Sequence, residues 1–203
     1  TPPTPKSALS GSFQGVCHCV VSLIIEKRAV AILHRSVLSY FKSISVKKNM
    51  HLLEPGLVSS QLFFIKKGCL RLYFINEDCQ VLTRFMAFEN TFLTSIVSFI
   101  SREPCTEYIQ AIEDSELMVI SYDQFTLLRN LIPEWEKMYI HILEYGLTVI
   151  NSKLSSLLTQ NAVDRYLTLL KNNPELVQRL SNSNLAAYLN ISPETLSRLK
   201  SKI

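Results

Sequence analysis

The stretch LAAYLNISPETLSRL, Leu185 to Leu199, decides the fold because it has the pattern of two short helices joined by a tight turn. Ala186 and Ala187 are small enough to let two helices approach each other closely. Asn190 is, after glycine, among the residues that best tolerate the left-handed backbone that such a turn needs. This order of a small-residue helix, a short turn and a second helix predicts a helix-turn-helix unit.

The second helix of this unit has a sharply defined start and two different faces. Ser192 is a preferred N-cap, and Pro193 is a preferred first helical residue because its ring already holds a helical φ. At about 100° per residue, apolar and polar side chains separate onto opposite sides. The apolar side carries Leu196, Leu199 and Ile203, and the polar side carries Glu194, Ser197, Arg198 and Ser201. The polar side is available to contact another molecule. An ordinary amphipathic surface helix would show the same pattern.

The whole chain has the composition of a globular protein of one or two domains. It has 203 residues, of which 47% are hydrophobic and 19% charged, and its formal net charge is +4. The segment from Asn161 to the end holds six Lys or Arg and three Asp or Glu, so the cationic excess lies near the last helix. This placement is compatible with contacts to phosphate groups.

The cysteines and the apolar runs indicate a reducing compartment and no membrane span. Five cysteines at scattered spacings do not form a disulfide framework. The longest apolar run, Val16 to Ile25, is far shorter than the roughly 20 residues that cross a bilayer. We therefore expect a cytoplasmic protein that makes no membrane contact.

Between His51 and about Tyr122 the sequence is typical of short antiparallel strands. In CLRLYFI, Leu70, Leu72 and Phe74 alternate with Arg71 and Tyr73, which predicts a strand with one buried face. The residues before this region, 1–35, form a leader to which we assign no role.

After Pro133 the apolar period changes to that of a long helix with two stripes. The first stripe repeats at the spacing of a heptad seam and contains Trp135, Met138, Ile142, Tyr145 and Val149. The second stripe lies about 140° around the helix and contains Ile140, Leu143, Leu147, Ile150, Leu154 and Leu157. One sheet covers only one stripe, so the other predicts a second copy of the same helix. We assign the first stripe to the dimer interface, although the period does not say which stripe meets the partner, and both stripes could be buried within one chain.

These features together resemble a Crp/Fnr-type transcription regulator. The resemblance rests on LLEPG, FIKKGCLRLYF, IEDSELMVISYDQF, the long helix and SPETLSRL, in the order of that family. It implies an α+β fold with an N-terminal antiparallel β-roll, a double-stranded β-helix of the cyclic-nucleotide-binding and cupin-like type, at residues 36–132. A long dimerisation helix at 133–160 and a DNA-binding helix-turn-helix domain at 161–203 follow.

The resemblance also implies a set of DNA-binding residues on the second helix of the pair. Glu194 and Arg198 match the positions that read base edges in the major groove. Arginine can bond guanine in bidentate fashion, and glutamate can accept from cytosine. The residues expected to contact phosphate are Ser192, Thr195, Ser197, Lys200 and Lys202. In the family a β-hairpin wing commonly follows this helix, and this sequence reaches Ile203 before such a segment.

The same resemblance argues against binding of cyclic nucleotides. The family's phosphate cassette has a Gly-Glu pair and, ten residues after the Glu, an Arg; Thr94-Ser95 and Cys105 occupy these positions in this chain. Loss of the arginine removes a charge-assisted contact to phosphate. A different polar effector could use Thr94, Ser95, Ser98, Cys105 and Thr106. A filled roll that binds no small molecule is the alternative.

No metal, cofactor or catalytic motif is evident in the sequence. Cys17 and Cys19 do not have the spacing of an iron-sulfur or zinc site. The cysteines are expected to be buried thiols. A redox-sensing role for Cys105 is a second and weaker hypothesis. The four histidines accompany no nucleophile motif or glycine-rich phosphate loop.

The sequence therefore predicts a homodimeric, sequence-specific DNA-binding transcription regulator of the Crp/Fnr type that does not respond to cyclic AMP and is not an enzyme. Double-stranded DNA is the expected partner, and RNA polymerase is a further one. The alternative is a β-roll sensor or protein-interaction module whose C-terminal helices are structural. The operator, the sign of regulation and the effector are not encoded in any pattern that we recognise.

Overall fold

A computed structural model describes residues 37–201, which form eight strands and seven helices. The leader at 1–35, with Cys17 and Cys19, lies outside the described residues, as do Lys202 and Ile203. The strands are β1 (Lys42–Val46), β2 (His51–Leu53), β3 (Gln61–Lys67), β4 (Leu70–Ile75), β5 (Val81–Ala87), β6 (Phe92–Leu93), β7 (Tyr108–Ala111) and β8 (Ser115–Ser121). The helices are α1 (Ile96–Ser101), α2 (Tyr122–Leu131), α3 (Pro133–Thr159), α4 (Ala162–Asn172), α5 (Pro174–Arg179), α6 (Asn182–Leu189) and α7 (Pro193–Lys200).

The strands pair into two four-stranded antiparallel sheets that enclose one apolar core. The strand orders are β1-β8-β3-β6 and β2-β7-β4-β5, so strands that are distant in the chain become neighbours. Inward-facing residues from both sheets form the core, because successive side chains of a strand alternate between its faces. This core includes Phe63, Ile65, Leu70, Leu72, Ile109 and Leu117.

A glycine is required at the turn between β3 and β4. Gly68 has φ +106°, and a Cβ at this position would lie 2.1 Å from the Ser115 side-chain oxygen. Its N–H donates to Glu89 Oε1 at 2.8 Å. The close approach of the two segments therefore depends on the missing side chain.

The helices α2 and α3 pack on the roll through a cluster of aromatic rings. Trp135 lies edge-on to Phe41 and Phe125, with ring centroids 5.9 and 5.5 Å apart, and Tyr139 lies 5.0 Å from Phe125. Such edge-to-face pairs contribute beyond the area that they bury. This cluster fixes the start of α3, whose first residue is Pro133.

The four C-terminal helices share their apolar core with the roll. Leu185 and Leu196 are fully buried between α6 and α7, and Cys69, Met86 and Ile112 of the roll belong to the same cluster. Arg179 at the end of α5 is paired with Glu89 and Glu113 of the roll. The C-terminal helices are therefore attached to the β-roll by both apolar and ionic contacts.

The predicted α+β fold is confirmed, and the predicted long helix spans Pro133–Thr159. One detail of the strand pattern differs from expectation. The register between β4 and β5 shifts between Leu72 and Tyr73, and Tyr73 is buried, stacked on Tyr108 at 4.9 Å and covered by Arg71. None of the helices within residues 37–201 combines the length and hydrophobicity needed to cross a membrane.

Candidate nucleic-acid interface and β-roll cavities

The helix-turn-helix unit forms as its sequence predicts. Asn190 ends α6 with φ 52° and ψ 51°, the left-handed conformation that the turn requires. Ser192 caps α7 by accepting a hydrogen bond from the Thr195 N–H at 3.1 Å. Because Leu196 faces the buried side, the opposite side of α7 is directed to solvent.

The predicted DNA-contacting residues lie on this exposed side. Ser192, Glu194, Ser197, Arg198 and Lys200 are exposed, and Thr195 is half-buried. Within the described residues, the guanidinium of Arg198 makes long contacts one turn back along the helix, from Nε to Glu194 O at 3.4 Å and from Nη2 to Thr195 Oγ1 at 3.5 Å. Weak contacts of this length leave the side chain free to reorient toward a ligand.

The charged residues at the two ends of α7 are held differently. A hydrogen bond from the Ser192 hydroxyl holds the pKa of Glu194 below its usual value, so Glu194 is ionised at neutral pH. Lys200 donates to Asn182 Oδ1 at 2.6 Å, which ties the end of α7 to the start of α6. Lys200 therefore makes a contact between the two helices of the unit, whereas the hydrogen bonds described for the Arg198 guanidinium stay within α7.

The five residues predicted as an effector pocket are divided between two cavities. Ser95, Ser98, Cys105 and Thr106 line a cavity of about 240 Å³ beside α1, whereas Thr94 lines a separate, larger one. The hydroxyls of Thr94 and Ser98 already have hydrogen-bond acceptors inside the protein. Thr94 Oγ1 donates to Gln61 O at 2.8 Å, and Ser98 Oγ donates to Glu103 O at 2.5 Å.

An ion pair that no sequence pattern predicted lines the smaller cavity. Glu107 is paired with Arg84 of β5, and only 8% of its side chain is exposed. Ser95 Oγ donates to the second carboxylate oxygen of Glu107 at 2.6 Å. The Ser95 hydroxyl that was expected to meet an effector thus bonds to a carboxylate of the protein itself.

The sequence contains a weak indication that Glu107 belongs to the cavity, but no indication that Arg84 does. Glu107 lies two residues after Cys105, so in an extended segment both side chains point to the same side of the chain. Arg84 lies in β5, whereas Glu107 directly precedes β7 of the same sheet, so their pairing depends on the register between β4, β5 and β7. No spacing in the sequence reveals that pairing.

The larger cavity, of about 380 Å³, lies between the roll and α3. Its walls are mainly apolar and include Leu62, Leu72, Phe85, Leu93, Ile142 and Leu143. Arg84 lines this cavity as well as the smaller one. Arg84 is therefore placed between an apolar space and a polar space.

The two stripes of α3 differ in their exposure within one chain, while the assignment of the first stripe to the dimer interface stays a prediction. In the first stripe, Trp135 and Met138 are buried in the chain's own core, and Tyr145 lies edge-on to Phe85 at 6.5 Å. Ile142 packs against the same core and Val149 is half-buried. The start of the first stripe is buried because the aromatic cluster of α2 and the roll contacts it. The second stripe leaves Ile140, Leu147 and Leu154 exposed, with Leu147 exposed by 63%, whereas Leu143 and Ile150 are half-buried beside the larger cavity.

Comparison with known proteins agrees with this architecture. The family model of the cyclic nucleotide-binding domain matches residues 43–130. Among curated proteins, none matches this sequence. The chain resembles the structure of CLP, a c-di-GMP-responsive global regulator of Xanthomonas campestris, with 21% identity over 85% of this chain and 90% of CLP and a TM-score of 0.70.

Two further structures are similar over most of the chain. A mutant of CooA from Carboxydothermus hydrogenoformans is 18% identical over 90% of this chain and 83% of CooA, with a TM-score of 0.65. A transcriptional regulator of the CRP/FNR family from Thermus thermophilus is 17% identical over 79% of this chain and 84% of its own, with a TM-score of 0.61.

The fold thus defines a class of protein in which a cyclic-nucleotide-binding-like β-roll is joined by a long helix to a helix-turn-helix. More specifically, the chain has the Crp/Fnr-type fold, and the resemblance predicted from its sequence is confirmed at that level.

Proposed function

We propose that the protein is a sequence-specific DNA-binding transcription regulator that acts as a homodimer. The observation that carries this proposal is the placement of α7, which buries Leu196 and leaves Glu194, Ser197 and Arg198 exposed on one side. A helix displayed in this way fits the major groove. Such a regulator would act in the cytoplasm, and RNA polymerase is the partner that a role in transcription implies.

The side chains on this face have the chemistry that base recognition requires. Arg198 can donate two hydrogen bonds to guanine O6 and N7, and ionised Glu194 can accept from cytosine N4. Lys200 lies beside them on the exposed side and is suited to phosphate contacts. A site that combines both kinds of contact distinguishes sequences and also binds DNA non-specifically.

Selection from randomised duplex DNA tests this proposal. Enrichment of a twofold-symmetric site is the expected result, because a symmetric dimer presents α7 twice. Failure to enrich any site, even at low salt, would favour the alternative of a β-roll module that acts through protein contacts.

Two substitutions separate base reading from phosphate contact. Arg198→Ala should weaken binding to the selected site by about 1 to 3 kcal/mol and relax the base preference at one position. Lys200→Ala should weaken binding to selected and random duplexes alike. Equal losses for both duplexes with Arg198→Ala would show that Arg198 contacts only phosphate.

The second stripe of α3 is the surface that we assign to the second copy. Exposed Ile140, Leu147 and Leu154 repeat every seven residues, which is the spacing of one position of a coiled-coil seam. Leu158 continues this surface and is 77% exposed. Pairing of two α3 helices would bury this row and place the two α7 helices in one symmetric assembly.

We further propose that DNA binding is independent of cyclic AMP and cyclic GMP. Cys105 provides no cation for a cyclic phosphate, and Arg84, which lines the same cavity, is already paired with the carboxylate of Glu107. Titration of either nucleotide to millimolar concentration, followed by calorimetry and thermal unfolding, tests this independence. Saturable binding in the micromolar range would overturn it.

A further inference from the structure

Lys153 lies at the junction of the β-roll, the long helix and the helix-turn-helix. It belongs to α3, and its Nζ donates to the carbonyl oxygen of Thr83 in β5 and lies 3.5 Å from that of Arg84. The same ammonium is 4.5 Å from the ring centroid of Tyr188 in α6. One side chain thus contacts all three parts of the chain.

The partners of Lys153 make its position sensitive to small displacements. Its described contacts are two carbonyl oxygens and an aromatic ring, and burial lowers the pKa of Lys153 to about 8. A desolvated ammonium is stable only while its few partners keep their geometry. A shift of β5 at Arg84 would therefore remove part of its stabilisation.

Strand β5 connects this junction to the interior of the roll. The carbonyl of Arg84 faces Lys153, whereas its guanidinium is paired with buried Glu107 and lines both cavities. Any change that breaks the Arg84–Glu107 pair alters the position of a residue that also holds Lys153. Two other polar contacts between the roll and the C-terminal helices, Arg71 with Asn184 and Arg179 with Glu89, are made by residues that line neither cavity.

We propose that Lys153 is a positioning residue that couples the Arg84–Glu107 pair inside the roll to the placement of α6 and α7. When the pair is intact, Lys153 bonds to β5 and holds Tyr188. When the pair is broken, β5 shifts, Lys153 loses an acceptor and α6 becomes less restrained. The consequence for DNA affinity rests on the proposed function, but the coupling itself does not.

Hydrogen exchange of the full chain without DNA tests the coupling. Glu107→Gln removes the charge of the carboxylate with little change of shape, and it should speed exchange in α6 and α7 by about threefold or more through local opening. In a Lys153→Met background, the same substitution should still speed exchange in β5 and β7 but add nothing in α6 and α7. Lys171→Met, at an exposed lysine of α4, is the matched control and should leave the effect of Glu107→Gln unchanged.

Each outcome decides the proposal. An equal effect of Glu107→Gln on α6 and α7 with and without Lys153, or no effect on these helices in the wild type, would overturn it. If Glu107→Gln fails to fold, Ser95→Ala, which removes one hydrogen bond to Glu107, replaces it with the same expected pattern. If hydrogen exchange shows the coupling but selection from randomised DNA enriches no duplex, this inference stands and the proposed function fails.

Discussion

The two apolar stripes of α3 look alike in the sequence, but Trp135 and Met138 of the first are buried in the structure, whereas Ile140, Leu147 and Leu154 of the second are exposed. Trp135 of the first stripe is 4% exposed, whereas Leu147 of the second is 63% exposed. Both follow the same heptad spacing, so the period alone describes a helix with two partners. The difference shows that the nearest sheet and helix decide which stripe is covered within the chain.

The largest expected effect is on folding and comes from the first stripe. Trp135→Ala should lower the free energy of unfolding by about 3 to 5 kcal/mol, because it removes a buried ring from an aromatic cluster. Within the described residues, Trp135 Nε1 is buried and makes no hydrogen bond, so the loss reports packing alone. Denaturant unfolding measures it.

Leu158→Ala on the exposed side of the same helix is the control for Trp135→Ala. Its side chain is 77% exposed, so in a dissociated sample it should change stability by no more than about 0.5 kcal/mol. Similar losses for the two substitutions would contradict the division of α3 into a buried and an exposed side.

The second effect is on association and comes from the second stripe. Leu147→Glu should weaken dimerisation by about 2 to 3 kcal/mol, because a carboxylate is desolvated when two α3 helices pair. The protomer should remain folded, since Leu147 is exposed within one chain. Sedimentation at tens of micromolar, compared with Ser152→Glu on the exposed polar side of α3, measures the change.

A wild-type protein that is monomeric under these conditions would remove the basis of this second prediction.

Ile142→Glu and Tyr145→Glu provide a further comparison on the first stripe. Because Ile142 packs on the core and Tyr145 on Phe85, charges there should unfold the chain instead of producing folded monomers.

The third effect concerns Lys153, where α3 contacts the roll and α6 together. Burial lowers the pKa of Lys153 to about 8, so the unfolded chain keeps this proton to higher pH than the folded chain does. Stability should therefore rise between about pH 8 and pH 10.5, relative to Lys153→Met, by about 1 to 2 kcal/mol. Subtracting the two pH profiles from denaturant unfolding cancels the titration of Cys69 and the tyrosines, and a flat difference would contradict the prediction.

The sequence was most informative where local chemistry determines structure. Asn190, Ser192 and Pro193 specify the turn and the start of α7 without help from distant residues, and the structure agrees. The long helix was equally well predicted, because its period extends over many turns. The polar face of α7 follows directly from these local features.

The features that the sequence did not reveal depend on contacts between distant segments. The pairing of Arg84 with Glu107 requires the register of the sheet, and the covered stripe of α3 depends on the aromatic cluster around Phe125. The five predicted effector residues were divided because Thr94 and Ser95, although adjacent in the chain, point into different cavities. Such contacts have no signature in spacing or composition.

The smallest effect that we predict concerns the ionic contact that holds α5 to the roll independently of either stripe. Arg179 is bidentate to Glu89, at 2.8 and 2.6 Å, and is also paired with Glu113. Arg129 and Glu136, at 2.5 and 2.8 Å, form a more exposed bidentate pair between α2 and α3. Arg179→Gln should cost about 1 kcal/mol at neutral pH, after allowance for partial solvent exposure, and Arg129→Gln no more than about 0.5 kcal/mol.

At acid pH, the larger stability cost of Arg179→Gln should disappear. The hydrogen bond from Arg179 lowers the pKa of Glu89 to about 2, so its contribution is complete above the ordinary carboxyl pKa near 4.5 and declines as pH falls toward 2. The cost of Arg179→Gln, measured by denaturant unfolding, should therefore shrink steadily over that range, because a protonated carboxyl no longer attracts the guanidinium. A cost that stays constant down to pH 2 would show that Arg179 acts through its packing on the Phe88 ring, 5.2 Å away, and not through charge. In that case the helix-turn-helix would be held to the roll mainly by apolar contacts, like the first stripe of α3.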